Sequence, residues 1–336
     1  MLRIALTAGA LVLLANSALA SPLDDQLKAI VKGAPTSVGI YVEQLERHET
    51  AGLNATRSFP LASTFKLPLA IVVMRLVDQQ QLPGLDSQVR VEVRDLWPGP
   101  SALNDRLPMG GSSTLRELVT VMLEQSDNSA ANALMRLCGG AARVQATLTA
   151  LGFTGISIDR DETEMSLDAH GLPYPAPDDR DPRKLTLSKR NVRVLTHQRA
   201  LAAFLRDPRD HGQPLMMTKI IERLWRQDLL SAAALDFLRQ ELARNQGGRG
   251  RIRAGVPAGV AVADRTGTCD GIGDAEAACV NDVGVITLPS GEHVALAVYV
   301  SDAGGPTAAK ERLIADITRV VWDYFVRPKS GKNRRD

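Results

Sequence analysis

Pro60-Leu61-Ala62-Ser63-Thr64-Phe65-Lys66 opens directly into the apolar run Leu67 to Val77, so it reads as a polar turn at the start of a buried helix. Ser63 and Lys66 then stand one turn apart. Residues three apart share a helix face, which lets the lysine amine reach the serine hydroxyl and help remove its proton. The helix N-terminus adds unpaired N–H groups and a positive dipole end, suited to negative charge growing on a substrate oxygen beside Ser63. This geometry suits acyl transfer. A Ser-x-x-Lys tetrad also describes a serine N-cap followed by a solvated lysine. It occurs once in the chain, so its chemical partners downstream decide between the two readings.

Upstream, a basic Arg3, an apolar run from Ile4 to Leu14 and the small-residue site Ala18-Leu19-Ala20 read as a cleavable secretory signal over residues 1–20. The mature chain is expected to start near Ser21, soluble and either periplasmic or secreted. No later segment approaches the roughly twenty apolar residues a membrane helix needs, so no membrane insertion is expected. The formal net charge of +2 argues against an extended nucleic-acid footprint or any polyanion partner. Three cysteines remain. Cys138 lies in an apolar helical run and reads as a buried thiol, whereas Cys269 and Cys279 flank Asp270 to Ala278 and could close a hairpin disulfide in an oxidising compartment. The five histidines lack metal-ligand spacing, so no metal and no cofactor are expected, and a monomer is the default.

Along the mature chain, Leu23 to Val31 patterns as a helix and Ser37 to Val42 as a strand, followed by a turn at Gly52 to Asn54 and a short strand before Ser63. Gln88 to Pro108 reads as loop. Thr114-Leu115-Arg116-Glu117 spells a capping box for a helix that stops at Gln125. Ser126-Asp127-Asn128 falls in the next turn, before a helix over Ser129 to Cys138 closed by Gly139-Gly140. Arg143 to Leu151 is a further helix. Ile158 to Leu167 lacks clean periodicity, as an active-site loop would. Lys184 to Arg206 is basic and partly helical, a pattern expected of a solvated helix and loop. Met216 to Leu242 gives amphipathic helices. Three strand-like runs follow (Gly259 to Thr266, Val283 to Leu288, His293 to Val300), then a helix from Thr307 to Phe325.

The fold class expected is α+β: an antiparallel sheet from the N- and C-terminal segments flanked by helices, plus an all-helical domain. The sheet domain would take residues 21–62 and 250–327. The helical domain would take 63–249, with an active-site loop near 158–172 and an insertion within 168–214, and residues 328–336 would form a frayed tail.

Four short signals line up in order: Ser63-x-x-Lys66, Ser126-Asp127-Asn128, Arg160-Asp161-Glu162 and Arg265-Thr266-Gly267-Thr268. Together they resemble the class A serine β-lactamases over nearly the whole mature chain, including the Arg251 to Pro257 run leading into the last motif. The resemblance implies a β-lactam hydrolase working through an acyl-serine intermediate. Ser63 would be the nucleophile, with Lys66 in its proton network, and Ser126 would pass a proton to the leaving nitrogen. Glu162 would activate the deacylating water. Asn128 would bind the acylamino group, and the N–H groups of Ser63 and Thr268 would form the oxyanion hole. Arg265, Thr266, Gly267 and Thr268 would line the substrate site. Arg251 reads either as a supplement to carboxylate binding or as an ordinary surface arginine.

The chain also departs from the family pattern. Arg265 stands where lysine is usual, keeping the charge but not the point-like ammonium. Ser166, four after Glu162, replaces the usual asparagine that helps hold the hydrolytic water. The span from Glu162 to Arg265 is longer than usual, with the excess expected between Asp168 and Pro214. Ala62 stands where some members carry a cysteine that pairs with the one after the last motif, which leaves Cys279 as the partner for Cys269. Two rival readings remain: a penicillin-binding D-Ala-D-Ala carboxypeptidase, which lacks the loop glutamate, and a lactam sensor that is acylated and stays so.

Overall fold

The computed structural model describes residues 21–34, 37–271, 276–301 and 305–327. The expected signal segment, residues 1–20, and the expected tail, residues 328–336, lie outside the described residues. The chain enters through α1 (Pro22–Val31), where Ser21 accepts from the Asp24 N–H and the Asp24 carboxylate takes the Ser21 N–H, a reciprocal cap that fixes the helix start. β1 (Ser37–Gln44) turns back into β2 (Glu49–Leu53). Gly52 thus sits inside a strand opposite Tyr41, where a turn was expected, and the chain bends instead at residues 54–57. A Cβ at Gly52 would come 2.9 Å from the Ile40 carbonyl oxygen, so this glycine serves close strand packing.

After β3 (Phe59–Pro60) and a 3₁₀ turn at Ala62–Phe65, α2 (Lys66–Asp78) runs buried on nearly every side, as a helix apolar all round must. The stretch expected as loop holds β4 (Gln88–Val91), a 3₁₀ turn at Val93–Asp95 and α3 (Ala102–Arg106), with β4 pairing to β5 (Gly111–Thr114). Four alternating residues beside so many prolines and glycines carry too little pattern to stand out. α4 (Leu115–Glu124) starts at Thr114, which accepts from the Glu117 N–H, but only half of the expected capping box forms. The Glu117 carboxylate turns instead to the Ser113 hydroxyl at 2.6 Å and to Arg106.

α5 (Asn128–Leu137) is capped by Asp127 and ended by Gly139 and Gly140, both at positive φ. α6 (Ala141–Ala150) and α7 (Glu162–His170) follow, then α8 (Pro182–Arg190), α9 (Val194–Phe204) and β6 (His211–Gly212), which pairs with β3. α10 (Pro214–Trp225) and α11 (Ala232–Ala243) complete the helical part. β7 (Val262–Cys269), β8 (Cys279–Thr287), β9 (His293–Ser301) and α12 (Thr307–Val326) close the chain.

The main sheet is antiparallel in the order β2-β1-β9-β8-β7, so strands from both ends of the chain lie side by side. Its two faces feed two cores. Val294, Leu296, Val298 and Val300 pack with α1 and α12, whereas Ala295, Ala297 and Tyr299 between them join the core of α2, α4, α5 and α10. The period of two along β9 divides one strand between both layers. No helix among the described residues is long and apolar enough to cross a membrane.

Cys269 and Cys279 face each other across β7 and β8 and are joined as a disulfide. Cys138 is buried, which pushes its thiol up to about 12 and leaves it inert at neutral pH. A bridge closing so short a loop contributes about 2–3 kcal/mol in the chain-entropy account. Replacing both cysteines with serine should lower the denaturation midpoint accordingly. An unchanged midpoint would show that the strand ladder alone holds this end of the hairpin.

Candidate active site

Ser63 lies in the 3₁₀ turn ahead of α2, and Lys66 is the first residue of that helix. Ala62, just before the serine, has φ +44, and Ser126 has φ +61. Both are left-handed conformations that L side chains adopt at a cost of order 1–3 kcal/mol each, and such residues cluster at functional sites. The Lys66 amine, fully buried, lies 3.1 Å from the Ser63 hydroxyl, 2.8 Å from the Ser126 carbonyl and 3.3 Å from the Ser126 hydroxyl. It also donates to the Asn128 side-chain oxygen. Glu162 Oε1 stands 2.7 Å from the same amine. Burial pulls the Lys66 pKa down to about 8, with the Glu162 carboxylate opposing and the Arg265 charge reinforcing the shift. A neutral amine is therefore within easy reach of physiological pH.

Of the expected loop Ile158 to Leu167, residues 158–161 are irregular, whereas Glu162 begins α7, capped by Asp161. Asn132 on α5 accepts from the Glu162 N–H at 2.9 Å, and the Trp97 indole donates to its backbone carbonyl at 3.3 Å, so the backbone that carries the carboxylate is held at both its N–H and its carbonyl. One turn on, the Ser166 hydroxyl is buried without a hydrogen-bond partner among the described residues. Arg160, just ahead of α7, is the fixing point of the region. Its guanidinium reaches Asp210 and Asp168, each at 2.5 Å, and Asp207 at 3.5 Å, and it lies over the Phe204 ring. Asp210 also accepts the Asp159 N–H at 2.8 Å. Burial pushes Asp210 up and the Arg160 charge opposes it, so this carboxylate depends on its arginine to stay ionised.

The facing wall is the edge strand β7. Arg265 is fully buried and donates to the Ser126 hydroxyl, with its Nε and one terminal nitrogen unpartnered among the described residues. Burial lowers its pKa to about 10, which leaves it a cation at neutral pH. Thr266 is buried beside it. A Cβ on Gly267 would come 2.9 Å from the Leu61 carbonyl oxygen and 3.1 Å from the Thr64 nitrogen, so only glycine lets β7 close on the turn that carries Ser63. Arg251 is buried, not an ordinary surface residue. It donates to the carbonyls of Gly267 and Asn281, both at 2.9 Å, to the Thr268 hydroxyl at 2.7 Å and to Glu311 at 3.0 Å. It ties β7, β8 and α12 together directly behind Thr268.

Beyond Thr268 a cleft of about 1020 Å³ opens between the Leu96 to Pro100 loop, the end of β7 and the helices α8 and α9. The basic stretch over Lys184 to Arg206 is thus a wall of this cleft and not merely a solvated face. Three residues with a place here escaped the sequence reading: Trp97, Lys189 and Asp210. The Trp-Pro-Gly-Pro run at 97–100 was the available signal for the first. Away from the cleft, Glu43, His48 and Glu222 bring ligand atoms within 4.8 Å of one another. The Lys219 ammonium lies 2.7 Å from both carboxylates and takes the place a cation would fill.

A serine hydroxyl against a buried lysine of lowered pKa, with a second serine and a carboxylate converging on the same amine, defines the active-site serine hydrolases that work by acyl transfer. Within that class, the chain belongs to the β-lactamase enzyme family, whose sequence profile matches residues 22–325. The β-lactamase VEB-1 of Pseudomonas aeruginosa is 26% identical over 304 residues, 90% of this chain and 89% of that protein. The solved structure of a β-lactamase from Chitinophaga pinensis aligns with a TM-score of 0.75 and 29% identity, covering 91% of this chain and 100% of that one. An ancestral class A β-lactamase of Gram-negative bacteria gives a TM-score of 0.72 at 29% identity, over 90% and 100% of the two chains. The class A resemblance and the α+β architecture expected from the sequence are borne out.

Proposed function

We propose that this protein hydrolyses β-lactams through an acyl-serine intermediate, in the periplasm or outside the cell after export, as a monomer and without a cofactor. The observation that carries the proposal is the position of the Lys66 amine, within hydrogen-bonding distance of the Ser63 hydroxyl, the Ser126 hydroxyl and Glu162 at once. The Ser63 oxygen attacks the lactam carbonyl while its proton moves into the Lys66 network. The C–N bond then breaks, and the nitrogen takes a proton from Ser126, which the Lys66 amine replaces with the one taken from Ser63. Negative charge on the carbonyl oxygen is met by the N–H groups of Ser63 and Thr268. Glu162 then removes a proton from a water that attacks the ester; the ester C–O bond breaks and that proton returns through Lys66 to the Ser63 oxygen, with the Ser166 hydroxyl one turn away to hold the water.

Arg265 and Thr266, beside Gly267 and Thr268, hold the lactam carboxylate, and Asn128 binds the acylamino group. With its donors engaged by the protein, Arg251 acts on substrate through Thr268. The test is steady-state turnover of a chromogenic cephalosporin by the purified mature protein, read beside intact mass after mixing with penicillin. Sustained turnover supports hydrolysis. A single stoichiometric adduct without turnover would favour the sensor or the carboxypeptidase.

The lowered pKa of Lys66 makes a further prediction about the first step. If the neutral amine is the acylation base, single-turnover acylation should rise with pH toward a plateau, with a midpoint near pH 8. A rate that stays flat between about pH 6 and 9 would assign proton removal to Glu162 acting through a water.

A further inference from the structure

Lys189 projects from the last turn of α8, with its ammonium 4.7 Å from the centre of the Trp97 ring and 3.3 Å from the Pro98 carbonyl oxygen. Trp97 in turn holds the carbonyl of Glu162, so the amine stands beside the helix that carries the carboxylate. No carboxylate lies within ion-pairing distance of Lys189 among the described residues. Arg183 and Arg190 line the same cleft, and Asp270 is its only acid among the described residues. His170 and His197, stacked on that wall at 4.2 Å, are held below the ordinary histidine value by burial and add no charge at neutral pH. α8 has no buried residue, so core packing does not account for its place. What it contributes is a half-buried cation on which the Asp270 and Glu162 carboxylates act only from beyond ion-pairing distance. The cleft is continuous with the catalytic strand through Thr268 and Cys269, so the part of a substrate that extends beyond Thr268 enters it.

We propose that Lys189 is a specificity-determining residue that receives a carboxylate carried on the acyl side chain of the lactam, with Arg183 and Arg190 supplying the surrounding positive field. The assignment rests on the β-lactam hydrolase reading. The test compares two penicillins with the same aryl-acetyl side chain, one bearing an α-carboxylate and one without it. Both are assayed as kcat/KM with the parent, Lys189→Met and Lys189→Glu. Methionine keeps the apolar stem on Trp97 and removes only the charge. The expected result is about a tenfold loss for the carboxylated substrate with less than about a twofold change for the neutral one, deepened by glutamate and shrinking as ionic strength rises. An equal change for both substrates, or none for either, would overturn the assignment while parent turnover keeps the hydrolase reading intact. A parent that turns over neither penicillin would overturn the assignment together with the hydrolase reading, and is told apart from the other outcomes by the parent assay alone.

Discussion

Ser63→Ala should form no adduct with a penicillin and lose turnover by ~10⁴-fold or more, since removal of a nucleophile that acts as one unit with its base leaves only binding and oxyanion stabilisation. The substitution is small and local. The Ser63 side chain accepts from Lys66, and an alanine fits the 3₁₀ turn, so the thermal midpoint should stay within a few degrees of the parent. Lys66 cannot take over the attack. Its amine is fully enclosed between Ser126, Asn128 and Glu162, with no open side from which a lactam carbonyl could approach. Intact-mass spectrometry after prolonged mixing reads the outcome directly. An adduct of lactam mass on the alanine variant would move the nucleophile elsewhere.

Glu162→Gln should separate the two halves of the reaction. Glutamine keeps the shape and remains in reach of Asn132 and Trp97, which bind the backbone of this residue, but it cannot accept the proton of the hydrolytic water. Acylation then proceeds and the ester persists. The expected record is a burst equal to the enzyme concentration, an accumulating adduct, and steady-state turnover lower by about 10²–10⁴, the usual worth of a positioned general base. The same change acts on Lys66. The Glu162 carboxylate raises the pKa of that amine, so removing the charge should move the pH midpoint of acylation below its parent value near 8. Turnover at the parent rate would mean that another group activates the water.

The sequence carried this much because the decisive residues are tied to local geometry. Ser63 and Lys66 are one helical turn apart, Asp127 caps the helix beginning at Asn128, and Arg265 to Thr268 follow consecutively along one strand. Each spacing has one physical meaning wherever the chain folds. The misreadings came where local pattern and tertiary role diverge. Gly52 has the composition of a turn but is required by strand packing against Ile40. β4 and α3 are too short for their periodicity to outweigh the prolines around them. α8 carries only Leu185 and Leu187 among its polar residues and buries neither, so its pattern does not say which surface it faces, and Lys189 was legible only as one charge among many. Asp210 lies fifty residues from Arg160, a separation at which a single acid and a single base carry no mutual signal.

Arg160 grips Asp168 ahead of α8 and Asp207 after α9 with the same guanidinium nitrogen. The two gateposts are therefore fixed independently of what lies between them. For a chain whose ends are already held together, doubling the intervening length costs only about 0.6 kcal/mol in closure entropy. This is a place where natural variation can add or exchange whole helices, and so remodel the rim of the cleft, while the carboxylate on α7 keeps its position.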